Sequence, residues 1–206
     1  IQIGAAGQGF HILGLDGPAG IEKAAIYLQG TQSNITIIDN EIEARGDAAL
    51  MGEYNASNNN IVIDNNLISG QTFNGANPAG VGSGAQFTLL NVPRQAVVFG
   101  GGGGTTNTMN FTFTNNVISA TTGGQSITDN SGNPIAPTDQ GNMLVTLDLV
   151  GTNVISGNTF SGTTVSWYAA LRTRGTGYTI EDNLFNGSYL VGMASGTNAV
   201  NATLNY

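Results

Sequence analysis

Five stretches of the chain share one pattern of apolar and polar positions. They are Asn34–Glu43 (NITIIDNEIE), Asn60–Ser69 (NIVIDNNLIS), Asn110–Ser119 (NFTFTNNVIS), Thr152–Ser161 (TNVISGNTFS) and Gly177–Asn186 (GYTIEDNLFN). Each alternates apolar and polar residues over a short strand, then breaks at a two-residue polar corner ending in Asn. One residue later comes an apolar anchor. The corner asparagines are Asn40, Asn66, Asn116, Asn158 and Asn183, spaced by 26, 50, 42 and 25 residues. That spacing describes a repeat of about 25 residues with two insertions.

A second apolar motif precedes most copies: AAIYL at 24–28, AALM at 48–51, AVVF at 96–99, MLVTL at 143–147 and AALRT at 169–173. Each repeat therefore holds at least two strands joined by tight polar turns, with no room for a helix between them. A chain that runs strand, turn, strand, turn and returns one layer up stacks its inward residues into continuous columns. One column is Ile35, Ile61, Phe111 and Tyr178, with Asn153 the odd member. The next is Ile37, Ile63, Phe113, Ile155 and Ile180, and the last is Ile42, Ile68, Ile118, Phe160 and Phe185. The corner asparagines are expected to form a side-chain ladder and to take the left-handed backbone that a tight corner needs.

In the second motif, alternation predicts Ala24, Ile26, Ala48, Leu50, Ala96, Val98, Ala169 and Leu171 inside. Two rows are then left outside: Ala25, Ala49, Val97, Val145, Ala170 and Tyr27, Met51, Phe99, Leu147, Arg172. Such an apolar outer stripe marks a covered or binding surface. The insertions at 71–93 and 120–141 both leave just after the apolar anchor and return just before this motif. They are expected to lie side by side as a lobe over that stripe.

Composition narrows the picture. The 206 residues include 31 Gly and 25 Asn, and only 9% are charged, which disfavours helix. A net charge of −8 lacks the basic footprint of a nucleic-acid binder and disfavours anionic membrane surfaces. No apolar run reaches the roughly 18 residues of a spanning helix. The absence of Cys rules out disulfides and Cys-ligated zinc. The chain reads as one domain over 1–206. Its start at Ile1 and its lack of capping helices suggest a segment of a longer, secreted or cell-surface protein, with head-to-tail stacking of copies as one expected contact.

The pattern N-x-x-I-x-(D/N/G)-N-x-(I/F)-x-(G/A), over roughly residues 10 to 190, resembles the parallel β-helix repeat of the pectate-lyase-like superfamily. The resemblance implies an all-β, right-handed parallel β-helix, a single-stranded β-solenoid of about eight coils of roughly 25 residues. It does not decide function, because that superfamily spans polysaccharide lyases, glycoside hydrolases, epimerases, tailspikes, adhesins and non-catalytic surface proteins. Its lyases use a Lys or Arg base, often beside Ca²⁺ held by acids.

Measured against that chemistry, the chain offers few groups. Lys23, Arg94, Arg172 and Arg174 fall on or beside the second motif, with Asp47, Glu53 and Asp148 on the same face. Arg94, Arg172 and Asp148 are the catalytic candidates for a lyase. Lys23, Asp47, Glu53 and Arg174 are candidate ligand contacts, and Tyr27, Trp167 and Tyr168 would line a glycan groove. Cross-strand ion pairing, such as Lys23 with Asp47 or Arg174 with a neighbouring acid, is the plainer reading of the same charges. Asp129 and Asp139 are candidate Ca²⁺ ligands in the second insertion, and no other cofactor is expected. His11, the only histidine, reads as an outward strand residue without a role. The function expected is a non-catalytic spacer, adhesion or filament-forming module. The alternatives are a lyase or hydrolase of an acidic glycan and a glycan-binding module. Partners are a polysaccharide or other copies of the chain.

Overall fold

Strands, corners and nothing helical make up what the computed structural model describes: residues 1–14, 24–44, 48–52, 59–70, 87–88, 97–99, 107–120, 128–129, 143–162, 169–186, 191–193 and 198–203. The chain opens with β1 (Gln2–Ile3) and β2 (His11–Gly14). It continues with β3 (Ala24–Leu28), β4 (Ser33–Ile38), β5 (Glu41–Ala44), β6 (Ala48–Gly52), β7 (Asn59–Asp64) and β8 (Leu67–Gly70). Next are β9 (Phe87–Thr88), β10 (Val97–Phe99), β11 (Asn107–Thr114), β12 (Val117–Ala120) and β13 (Thr128–Asp129). The last are β14 (Met143–Ser156), β15 (Thr159–Gly162), β16 (Ala169–Glu181), β17 (Leu184–Asn186), β18 (Val191–Met193) and β19 (Asn198–Thr203).

These strands pair in parallel into three ladders. A lead ladder runs through β3, β6, β10, the first half of β14, the first half of β16, and β18. A middle ladder runs through β1, β4, β7, β11, the second halves of β14 and β16, and β19. An exit ladder holds β2, β5, β8, β12, β15 and β17. Among the described strands only β9 and β13 pair antiparallel, Thr88 opposite Thr128 and Phe87 opposite Asp129, beside an isolated antiparallel bridge between Ala5 and Gln8. Those two strands belong to the two insertions, which therefore meet in a short ribbon.

The three inward columns hold. Ile37, Ile63, Phe113, Ile155 and Ile180 are fully buried, as are Ile42, Ile68, Ile118 and Phe160. Like stacks on like because each rung repeats the one below at about 4.8 Å. Phe160 and Phe185 follow suit, with ring centroids 4.8 Å apart and planes 7° from parallel. Burying each such Ile or Phe contributes about 1.5–3 kcal/mol.

The lead ladder departs from the simple alternation. Ile26, Leu50 and Leu171 point inside as expected, but so do Val97, Phe99, Val145 and Leu147, these four with zero exposure. The register pairs Val97 with both Leu50 and Val145, and Val145 with Leu171. AVVF is apolar on both parities and LVTL departs from that only at Thr146, so a one-residue slip is hard to see in the sequence while it exchanges the two faces. Burying Phe99 and Leu147 removes more apolar surface than burying Ala96 would. Ala49, also expected outside, is fully buried, and Ala25 packs against the core. The side chains of Ala48, Val98, Ala169, Ala170, Met51 and Arg172 lie outside the described residues, as does Ala96.

At the corner between middle and exit ladders, five buried asparagines form the ladder. Asn40, Asn66 and Asn116 each donate backbone N–H and Nδ2–H to Oδ1 of the next, at 2.9–3.1 Å. Asn158 does the same to Asn183 at 3.0 and 2.9 Å. Each Nδ2 also donates to a backbone carbonyl, such as Ile63 O from Asn116 at 2.9 Å. The left-handed residue is not this asparagine but the one before it: Asp39, Asn65, Asn115, Gly157 or Asp182, with φ between 53° and 68°. That explains the D/N/G position of the motif, since these residues tolerate that backbone best.

Candidate functional site

The charged cluster at the end of the lead ladder begins with two long strands. β14 and β16 cross from lead to middle ladder without a break and pair along most of their length. Asp148 stands opposite Arg174, on the parity away from Leu147 and Leu149. Arg174 Nη2 donates to Asp148 Oδ2 at 2.6 Å, and only 14% of the Arg174 side chain and 4% of the Asp148 side chain are exposed. A charge-assisted bond this short in so dry a place is worth little net, but losing one partner leaves a buried charge at a cost of about 3–5 kcal/mol.

Tyr178 holds the backbone beneath that pair. Its hydroxyl accepts from Leu149 N at 2.8 Å and shares its proton between the carbonyls of Leu147 and Arg174, both at 2.9 Å. The residues on either side of Asp148 and the carbonyl of Arg174 are thus tied to one phenol. Asn153, the odd member of its column, is smaller than the Ile and Phe of earlier rungs, and Tyr178 is its register partner. Sequence reasoning did not find this clamp. Its one visible signal was an Asn followed by a Tyr in a column otherwise Ile and Phe.

The candidate residues are not all gathered. Tyr27 and Arg172 share one register column, Tyr27–Met51–Val98–Thr146–Arg172. Four rungs separate them, about 19 Å at the usual strand spacing. Tyr27 is half-buried. Arg172 is placed by its backbone alone, one residue from the position opposite Leu147 and two before Arg174. Asp129 pairs with Phe87 in the insertion ribbon, and its side chain lies outside the described residues. Lys23, Asp47, Glu53, Arg94, Asp139, Trp167 and Tyr168 also lie outside them. Among the described residues, no three His, Cys, Asp or Glu side chains stand close enough to hold a metal ion.

His11 lies on the exit ladder, opposite Glu41, with Nε2 3.4 Å from Glu43 Oε2. It is a pair on an outer face, remote in register from Asp148 and Arg174. No helix among the described residues is long and apolar enough to cross a membrane.

No protein-family model matches the chain, and neither the curated proteins nor the solved structures contain a match to it. The class of protein is therefore defined by its own registers: the described residues are all-β and run in parallel ladders, consistent with a β-helix.

Proposed function

We propose that the chain is a single right-handed parallel β-helix domain of about eight coils, of the pectate-lyase-like kind, acting as a non-catalytic spacer or adhesion module of a secreted or surface protein. The observation that carries this reading is the buried asparagine column, from Asn40 to Asn183, which locks successive rungs at one corner through paired side-chain and backbone bonds. Each buried rung contributes about 1 kcal/mol net and fixes register over the whole length, which suits a stiff rod. The Asp148–Arg174 bond supports it too, because these two charges of the candidate face neutralise each other at 2.6 Å.

The test is incubation of the purified chain with a panel of uronate polysaccharides, followed in the ultraviolet for unsaturated product and by reducing-sugar release. No product is expected. Unsaturated product that disappears in Arg94→Ala or Arg172→Ala would overturn the proposal in favour of a lyase. Retention on one glycan that is lost in Trp167→Ala would replace the spacer by a glycan-binding module.

A further inference from the structure

We infer that the interior of the fold holds one bound water molecule on Asn153. This side chain is fully buried within the middle ladder, between Phe111 and Tyr178 in register. Its Nδ2 donates to Thr176 O at 3.2 Å, but its Oδ1 is buried and accepts no hydrogen bond. A buried amide oxygen without a donor loses its hydration with no compensation, a cost of about 1–3 kcal/mol that native proteins relieve with an ordered water.

The surroundings fit such a guest. Between Leu149 and Asn153, β14 takes four steps while β16 takes three from Gly175 to Tyr178, so β14 carries one extra residue at this corner. A bulge bends its strand and opens the ladder locally. The rungs below place Ile61 and Phe111 where the smaller Asn153 stands, and Tyr178 turns its hydroxyl away to the carbonyls of Leu147 and Arg174. Internal waters take two to four polar partners; here Asn153 Oδ1 is one, and the backbone groups of β14 that the bulge leaves without a ladder partner on β16 are the others. The water would donate to Asn153 Oδ1 and complete the bulge that the Nδ2 group already braces.

Magnetic relaxation dispersion of the water deuterons reads such a molecule directly, because a trapped water exchanges far more slowly than surface hydration. The native chain is compared with Asn153→Leu, an apolar side chain of similar size, with circular dichroism confirming that both are folded. The expected result is a dispersion step reduced by one long-lived water in the variant. Equal steps in the two folded proteins would overturn the inference. Should Asn153→Leu fail to fold, a high-resolution crystal structure of the native chain decides: density beside Asn153 Oδ1 supports the site, and its absence sinks it.

Discussion

Where the middle ladder turns into the exit ladder, every described rung from Asp39–Asn40 to Asp182–Asn183 uses the same two residues: one left-handed, one buried asparagine. Where the lead ladder turns into the middle ladder, the rungs differ. Asn34 and Asn60 are left-handed there, with Asn60 Nδ2 donating to Asn34 Oδ1 at 3.0 Å on the exposed surface. Two rungs later β14 and β16 pass straight through on Gly151 (φ 134°) and Gly177 (φ 78°), and one residue is dropped between them. The first corner puts its polar side chains inside, where each bond excludes water and an unmade bond is costly. The second puts them outside, where water substitutes freely. A corner stabilised from within must repeat, and a corner solvated from without is free to vary.

The largest effect expected from testing this contrast is at the variable corner. A Cβ on Gly177 would lie 1.7 Å from Gly151 O, a backbone atom that cannot yield. Gly177→Val should cost about 4 kcal/mol or more, combining clash with left-handed strain. Soluble yield and urea denaturation check it, and a variant as stable as the native chain would mean that the two rungs are not in this contact. Next is Asn116→Leu in the middle of the column. It leaves Asn66 N–H and Nδ2–H without their shared acceptor and should cost about 3 kcal/mol by the same denaturation.

Tyr178→Phe should cost about 1–3 kcal/mol, because Leu149 N–H loses a buried acceptor. Hydrogen exchange at Leu149 should accelerate while exchange at the asparagine corner stays slow. If both corners loosen together, the two are not independent. The smallest effect belongs to Gly157→Asn, which restores at φ 68° the residue found at 65 and 115. Its Cβ would come too close to the Asn115 side chain, 2.6 Å from Oδ1, and rest in ordinary contact with Asn115 N at 3.7 Å, so stability should change by no more than about 0.5 kcal/mol after that side chain shifts. A loss several times larger would show that the repeating corner tolerates less than its sequence variation suggests.

The same contrast governs what was legible in the sequence. The columns through Ile37 and Ile42 were readable because apolar residues there occupy one parity only. The lead strands were not, because Val97–Val98–Phe99 and Leu144–Val145 are apolar on both parities, and alternation alone chose the wrong face for Val97, Phe99, Val145 and Leu147. The D/N/G preference at the corner was visible, but the left-handed backbone it serves belongs to Asp39 and Asn65, one residue ahead of the asparagines first assigned to it. At the candidate site, the charges and the pairing of Arg174 with a neighbouring acid were read off the sequence, but not which acid it is, Asp148. That depends on the register of β14 against β16, which changes by one residue just beyond the pair. Nor could a local pattern reveal the reach of the Tyr178 hydroxyl to Leu147, 31 residues away.

The ribbon joining β9 to β13 has a consequence for how such a chain can change. Both insertions are spliced between exit and lead strands, after β8 and after β12, and the parallel register below them continues undisturbed. New material can therefore be grafted at this seam without renumbering any rung of the scaffold. The two grafts are nevertheless coupled, because Phe87–Thr88 and Thr128–Asp129 supply each other's backbone partners. Replacing one insertion alone would leave the two-residue strand of the other without its partner.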